Sequence, residues 1–164
     1  MADAETYWLA TARPDGGPHL VPVLAVWVDG TLHFAASPAS RKGRNLVRDA
    51  RCAIATRSRG LDLVVEGAAA RVTQPAELRR VAGAYAAKYG WAVTVRDGAF
   101  RGDGAPTAGP PPYNVYEVVP TVAFGFPADG TSVPTRWRFE RRRQHVDPRR
   151  KSAKRYTPPK GQTR

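Results

Sequence analysis

Asp-Gly pairs interrupt the hydrophobic stretches of this 164-residue chain at Asp15-Gly16, Asp29-Gly30 and Asp129-Gly130. Asp-Gly between alternating runs favours a tight β-turn and is the strongest short-range signal for a β-hairpin. The first pair predicts a hairpin between strands at about 7–12 and 18–28, and the second pair joins the latter strand to one at 31–36. The chain is therefore predicted to begin as an antiparallel meander.

Two helices and further strands are predicted beyond this meander. A short helix is predicted at 40–49 with Ser40 as its N-cap, and a longer one at 75–89 with Pro75 in its first turn. Strands are predicted at 51–57, 61–73, 113–126 and 133–139. The second of these is expected to bend at Gly67. This order favours a mainly β fold with a few helices (α+β), closed as an antiparallel barrel.

The formal net charge of +12 is concentrated near the C-terminus. Residues 136–164 hold 12 of the 26 Lys and Arg residues and only two of the 14 Asp and Glu residues. Clustered arginines with prolines and few apolar side chains are typical of a disordered segment rather than of a nucleic-acid docking face. We therefore expect a folded domain at 1–139, a disordered basic tail at 140–164, and no specific nucleic-acid function.

Several other classes of protein are disfavoured. Cys52 is the only cysteine, which excludes an intramolecular disulfide and suits a reducing compartment. Neither the scattered histidines nor the acidic residues show metal-ligand spacing or a paired-carboxylate arrangement. The histidines are His19, His33 and His145. No signal peptide or membrane span is expected, so the predicted location is the cytoplasm.

The segment Ser37-Pro-Ala-Ser-Arg-Lys-Gly-Arg-Asn45 combines hydroxyls, cations and free backbone N–H groups at a strand-to-helix junction. A helix N-terminus offers unpaired donors and the positive end of its dipole, and Arg and Lys add charge-assisted hydrogen bonds to an anion. This combination predicts a phosphate site. A solvated basic helix is the alternative, and the residues alone do not separate the two.

Four segments resemble, in order and spacing, the split-barrel flavin and deazaflavin oxidoreductases, often called pyridoxamine 5′-phosphate oxidase-like proteins. These segments are Val21-Pro-Val23, Trp27-Val-Asp-Gly-Thr-Leu-His-Phe34, Ser40-Arg-Lys-Gly-Arg-Asn-Leu46 and Arg51-Cys-Ala-Ile54. The resemblance extends over about 7–139. It implies a homodimer of two split barrels with a cofactor in each groove between the protomers.

The resemblance also assigns roles to residues. The backbone of Val21, Pro22 and Val23 would pass along the isoalloxazine-like ring of the cofactor. The phosphate would be held by Ser37, Ser40, Arg41, Lys42 and Asn45. Proline is unusual in a central strand, which favours an edge left open for a ligand, and a strand of the core is the alternative.

Trp137 and Arg138 are further candidates, because many members of the family send an aromatic or a cation from the last strand into the partner's cofactor site. Strand alternation places Trp137 on the opposite face from Arg136 and Arg138, so the three side chains cannot all point at one cofactor. Packing of Trp137 in the core is the alternative.

The function implied by the resemblance is hydride transfer between the cofactor and a small conjugated or aromatic substrate. The cofactor would carry the chemistry, so no catalytic side chain is named. Pyridoxamine-phosphate oxidases end in a segment that reads the substrate phosphate, and no such segment is recognisable here, so the vitamin B6 reaction is not expected. The short form with Ser40-Arg-Lys42 and Trp137-Arg138 is more similar to the branch that uses coenzyme F420, although FMN-binding relatives share much of the pattern. F420 is therefore preferred over FMN, and a non-catalytic carrier or sensor of the same cofactor is the rival from another class.

The segment 90–112, rich in Gly and Pro, is expected to be an irregular surface loop that could act as a lid. Nearby aromatic side chains could line the substrate cavity, or they could belong to the core. They are Tyr85, Tyr89, Trp91 and Tyr113.

Overall fold

The computed structural model describes residues 6–102, 109–128 and 133–140. The predicted turn at Asp129-Gly130 and the basic tail from residue 141 onward lie outside the described residues.

Ten strands and two helices make up the described part of the chain. They are β1 (Tyr7–Ala12), β2 (Pro18–Val23), β3 (Ala25–Val28), β4 (Thr31–Ala36), α1 (Arg41–Arg48), β5 (Arg51–Ser58), β6 (Leu61–Arg71), α2 (Pro75–Tyr89), β7 (Thr94–Arg96), β8 (Ala99–Arg101), β9 (Asn114–Pro127) and β10 (Thr135–Arg138). The mainly β class with two helices is as predicted.

Eight strands form one antiparallel sheet in the order β2-β1-β5-β6-β9-β4-β3, with β10 added to β9. The two ends of this order, β2 and β3, are consecutive in the chain and separated only by Leu24. The sheet must therefore curl until its edges approach each other, which produces a half-barrel with a split between β2 and β3. The prediction of one continuous strand at 18–28 is wrong, since the chain changes strand at Leu24.

Helix α2 explains why the strand breaks at Leu24. The Tyr85 hydroxyl donates to the Leu24 carbonyl at 2.8 Å, and the Tyr89 hydroxyl donates to the Ala25 carbonyl at 2.8 Å. Lys88 Nζ also donates to the Ala25 carbonyl, at 3.2 Å. Backbone groups that leave the sheet thus find partners on the helix, which removes the penalty for leaving them unpaired.

Two hydrophobic cores lie on opposite faces of the sheet. Strand β4 contributes to both by alternation, because Phe34 packs in the barrel interior and Ala35 packs under α2. Cys52 belongs to the interior core, as predicted, and burial raises the pKa of its thiol to about 11. The predicted helical stripe of α2 also packs inward, with Leu78, Val81 and Tyr85 fully buried.

The segment after α2 is not the irregular loop that was predicted. Strands β7 and β8 pair as a small hairpin around Asp97-Gly98, where both residues have positive φ. The ring of Phe100, which is fully buried, packs edge-on against Tyr85 and Trp91. Trp91 packs in turn against Tyr113. These aromatic side chains therefore belong to the hydrophobic core under α2.

The predicted bend in β6 is confirmed at Gly67. The register between β6 and β9 shifts between Glu66 and Gly67. A Cβ at Gly67 would lie 2.1 Å from the Val119 carbonyl oxygen, so the two strands approach too closely there for any other residue.

Neither described helix combines the length and the apolar composition needed to cross a membrane.

Candidate functional site

The N-terminus of α1 begins as the sequence predicts. Ser40 is the N-cap, and its hydroxyl accepts from the Gly43 N–H at 3.1 Å and donates to the Ser37 carbonyl at 2.7 Å. The first turn contains no acidic residue. No acidic side chain therefore offsets the positive end of the helix dipole. The Ser40 hydroxyl already has two hydrogen bonds, so it would have to give up one of them to contact a ligand.

The junction is closely packed around Gly43. A Cβ at Gly43 would lie 2.1 Å from the Ser37 carbonyl oxygen, which only glycine permits. On the other side, the Cβ position of Gly109 lies 3.1 Å from Ser37 Cβ and 3.3 Å from Ser40 Cβ. The segment that follows residue 108 therefore borders the N-terminus of α1.

Two polar side chains of α1 point inward. Lys42 and Asn45 are each only 3% exposed, and burial lowers the pKa of the Lys42 ammonium. Asn45 Nδ2 donates to Thr11 Oγ1 at 3.0 Å, which fixes α1 to β1. Arg41 is exposed, as a solvated basic helix requires, but the burial of Lys42 is not explained by that alternative.

Positively charged side chains surround His19, a residue of β2 that pairs with Thr11 of β1. Burial lowers the pKa of His19 first, and the positive charges of Arg13, Arg41 and Lys42 lower it further. Its Nδ1 atom is buried without a hydrogen-bond partner. Three cations around a neutral imidazole at a helix N-terminus create a local potential that suits an anion such as phosphate.

Among the residues that the structure describes, β2 forms one edge of the sheet and pairs with β1 alone. Pro22 therefore stands on an edge strand, which is where proline is tolerated in a sheet. The side chain of Val23 lies in the interior core, and Val21 packs against that core. Val21 and Val23 thus face the core, while the outer edge of β2 pairs with no strand among the described residues.

The structure brings β2 and α1 together at Thr11 and does not bring Trp137 or Arg138 to them. Ala36, which precedes the junction, pairs with Asn114, whereas Trp137 pairs with Ala123. Nine residues of extended strand span roughly 30 Å. Within one chain, β10 therefore lies far along β9 from the phosphate-site candidates.

The side chains of β10 alternate as predicted. Arg136 pairs with Phe124 and Trp137 pairs with Ala123, which places these neighbours on opposite faces of the strand. Trp137 is 44% exposed, and its ring covers Gly125, where a Cβ would lie 2.9 Å from Trp137 Cη2. Trp137 is therefore not a fully buried core residue.

An apolar row crosses the outer face of the sheet in register. It consists of Pro22, Trp8, Ala55, Val64 and Phe124 on β2, β1, β5, β6 and β9. Trp8 is 46% exposed and borders an open cavity of about 670 Å³ over β5 and β6. That cavity includes none of the residues predicted to bind the cofactor.

One further cluster, of a histidine and two glutamates, cannot be recognised from the spacing of these residues in the sequence. His33 on β4, Glu77 on α2 and Glu117 on β9 place a ligand atom each within 4.8 Å of one another. These residues are far apart in sequence, and only the β4–β9 pairing and the docking of α2 unite them.

Comparisons with known structures agree on the fold. The conserved hypothetical protein Rv2991 of Mycobacterium tuberculosis superposes with a TM-score of 0.61 at 22% identity, over 82% of this chain and 84% of that protein. A heme binding protein of Mycobacterium smegmatis gives 0.59 at 19% identity, over 82% of this chain and 53% of that protein. At these identities the similarity shows a shared fold alone.

A third structure with this fold is PhzG from Burkholderia lata 383 in complex with tetrahydrophenazine-1-carboxylic acid. It gives a TM-score of 0.56 at 19% identity, over 87% of this chain and 79% of that protein. No curated protein matches the chain significantly. The family model described as pyridoxamine 5′-phosphate oxidase matches residues 1–125. With most of its length matched, the chain belongs to the pyridoxamine 5′-phosphate oxidase-like split-barrel family, which includes flavin-binding proteins.

Proposed function

We propose that this protein is an F420-dependent oxidoreductase of the cytoplasm that transfers a hydride between the deazaflavin and a small conjugated or aromatic substrate. The observation that carries this proposal is the group of cations Arg13, Arg41 and Lys42 around His19 at the N-terminus of α1. FMN is the alternative cofactor, and a non-catalytic carrier or sensor is the alternative role.

The phosphate fits the α1 junction on chemical grounds. Arg41 is exposed and can donate charge-assisted hydrogen bonds to a phosphate oxygen, and the positive end of the α1 dipole adds to the attraction. Lys42 supplies a positive charge whose desolvation an anion would offset. His19 Nδ1 is a buried polar atom that still requires a partner. Ser37 and Asn45 shape the base of this site.

The ring of the cofactor fits the open edge of β2. Val21 and Pro22 leave an unpaired backbone edge beside an apolar surface, which suits a flat conjugated ring. The cofactor supplies the hydride chemistry when bound. The protein orients the ring and substrate and excludes water from them, a role that requires no acid–base pair among the side chains.

Positive charge beyond the junction favours F420 over FMN. The F420 tail is anionic, and Arg136 and Arg138 on β10 are exposed cations. Because β10 lies far from α1 within one chain, these arginines and Trp137 would serve the cofactor of a second protomer.

We accordingly include a homodimer in the proposal. The apolar row from Pro22 to Phe124 on the outer face is a surface that a second copy of this chain would cover. Sedimentation of the full chain should give about twice the monomer mass of 17.9 kDa. A monomer at micromolar concentration would contradict this part of the proposal.

The function is tested by titrating F420 and FMN separately into the purified protein and following tryptophan fluorescence. Variants Arg41→Ala and Lys42→Met should each weaken binding of the preferred cofactor by about 10- to 100-fold, as expected for the loss of a charge-assisted hydrogen bond. Arg79→Ala removes an exposed cation from α2 and serves as the matched control. Tighter binding of FMN would make FMN the cofactor instead of F420. If the protein bound neither F420 nor FMN, the proposal would be wrong.

Turnover is measured separately from binding. The protein is loaded with reduced cofactor, and its oxidation is followed with and without small quinones or conjugated aromatic acids as acceptors. Acceptor-dependent oxidation supports an enzyme. Tight binding without it supports the carrier or sensor role instead.

A further inference from the structure

We propose that His33, Glu77 and Glu117 form a binding site for a divalent transition metal, Zn²⁺ being the ion best suited to it. The three residues come from β4, the first turn of α2 and β9, and their ligand atoms lie within 4.8 Å of one another. One imidazole nitrogen with two carboxylate oxygens is a donor set that zinc binds in proteins.

The imidazole of His33 is held in the manner of a metal ligand. It is only 2% exposed, and its Nδ1 lies 3.1 Å from the Thr31 carbonyl oxygen. Because a carbonyl only accepts, Nδ1 carries the proton, and the lone pair of a neutral ring is on Nε2. A backbone carbonyl on one ring nitrogen is the usual outer partner of a zinc-bound histidine.

The lone pair of Nε2 faces another acceptor. Glu77 Oε1 lies 3.3 Å from Nε2, so a neutral His33 would place a lone pair against a carboxylate. Two acceptors in contact require a positive ion or a proton between them. A metal ion at this point would accept electron pairs from both residues.

Glu117 supplies a second reason for a cation. It lies directly opposite His33 in the β4–β9 register and is half-buried. Among the residues that the structure describes, none forms a hydrogen bond or ion pair with its carboxylate. On the other side of β9, the register partner of Glu117 is Ala70 of β6, which carries no charge. Two carboxylates this close repel each other unless a cation lies between them.

The geometry suits a tetrahedral ion. Ligand bonds of about 2.0–2.2 Å in a tetrahedral zinc site separate neighbouring ligand atoms by about 3.4 Å. The separation of His33 Nε2 and Glu77 Oε1 is already 3.3 Å, so the Glu117 side chain is the one that must rotate inward. Glu77 is 29% exposed, which leaves room for water as the fourth ligand and a route for the ion.

The site would fasten α2 to the sheet. His33 lies on the face that α2 covers, whereas its neighbour Phe34 points into the barrel interior. The metal site is therefore on the opposite face of the sheet from the interior core. Failure of the proposed cofactor function would leave this inference unaffected.

The test uses the full chain, freed of any affinity tag and of metal by EDTA, with isothermal titration of ZnCl₂. We expect one site per chain that persists in His145→Ala and His19→Ala. Zinc at about a hundredfold excess over Kd should raise Tm by roughly 5–10 °C. Glu77→Gln and Glu117→Gln keep the side-chain shape and should each weaken zinc binding by about tenfold or more.

Glu66→Gln, an exposed acid on β6, is the matched control and should bind zinc as the unmodified protein does. Circular dichroism of each variant confirms that it remains folded. Absence of a saturable site, or unchanged zinc affinity in both Glu77→Gln and Glu117→Gln, would overturn the proposal. In either case His33 and Glu77 would be an ordinary hydrogen-bonded pair.

Discussion

The two helices differ in the polar side chains that they bury. Helix α2 turns Leu78, Val81 and Tyr85 into a hydrophobic core. Helix α1 is half as long, and its buried residues include Lys42 and Asn45. Apolar burial stabilises a fold, whereas burial of a charge costs free energy unless a partner offsets it. Under the proposed function, α2 would serve stability and α1 would serve binding.

The largest expected effect is on α2. Tyr85→Ala removes a fully buried ring, its contacts with Trp91 and Phe100, and the hydrogen bond to the Leu24 carbonyl. Loss of a large buried aromatic costs about 3–5 kcal/mol. Urea denaturation should show this loss in the free energy of unfolding. Val47→Ala on the exposed face of α1 is the control, and an equal loss there would contradict the division of roles.

Two glycines allow the comparison to be made with the same substitution. Gly43→Ala on α1 forces a Cβ against the Ser37 carbonyl and should destabilise by about 1–3 kcal/mol while abolishing cofactor binding. Gly83→Ala on α2 meets nothing within 4 Å and should stabilise by about 0.5–1 kcal/mol. Thermal unfolding and cofactor titration of the two variants measure both effects. If both substitutions changed the free energy of unfolding in the same direction, the proposed difference between α1 and α2 would be contradicted.

The smallest expected effect concerns the buried cation. Burial lowers the pKa of Lys42 in the folded state, so at neutral pH the folded protein bears a desolvation cost that the unfolded chain does not. Stability should therefore rise with pH between the folded pKa and the ordinary value of 10.5. Lys42→Met should lack this rise and be more stable at pH 7 by about 1 kcal/mol.

Urea midpoints of both proteins at about pH 7 and about pH 9.5 give this measurement. The two curves should converge as the pH rises. A variant that is less stable than the unmodified protein at neutral pH would show that Lys42 contributes to stability, contrary to the assigned role.

Local signals predicted much of the fold. Turn chemistry at Asp15-Gly16 and Asp29-Gly30 places β1 to β4, the Ser40 cap marks the start of α1, and Gly67 marks the irregularity in β6. These features depend on residues within one or two turns of each other, which is why the sequence reveals them.

Features that depend on distant residues were not predictable in the same way. The break at Leu24 is stabilised by Tyr85, which is 61 positions away. The burial of Lys42 and the approach of Glu117 to His33 likewise arise from tertiary packing. The β7–β8 hairpin is different, since Asp97-Gly98 is a recognisable turn signal, but its three-residue strands are too short to show alternation.

The residues proposed to hold the cofactor divide along the same line. The positions of Ser40, Arg41 and Asn45 follow from the motif and the helix start that it predicts. The grouping of Arg13 and His19 with them does not, because the β1–β2 hairpin must first dock on α1. The proposed role of Trp137 would depend on a second chain, which lies beyond what one sequence can specify.

Open sheet edges carry a risk of aggregation, and β2 and β3 stand at the two ends of the strand order of the main sheet. A strand with free N–H and C=O groups can recruit a strand from another molecule and begin a fibre. Pro22 interrupts the row of donors on β2, and β3 is only four residues long and packs against α2. Proline on this edge strand and the shortness of β3 thus both disfavour the extension of the sheet by foreign strands.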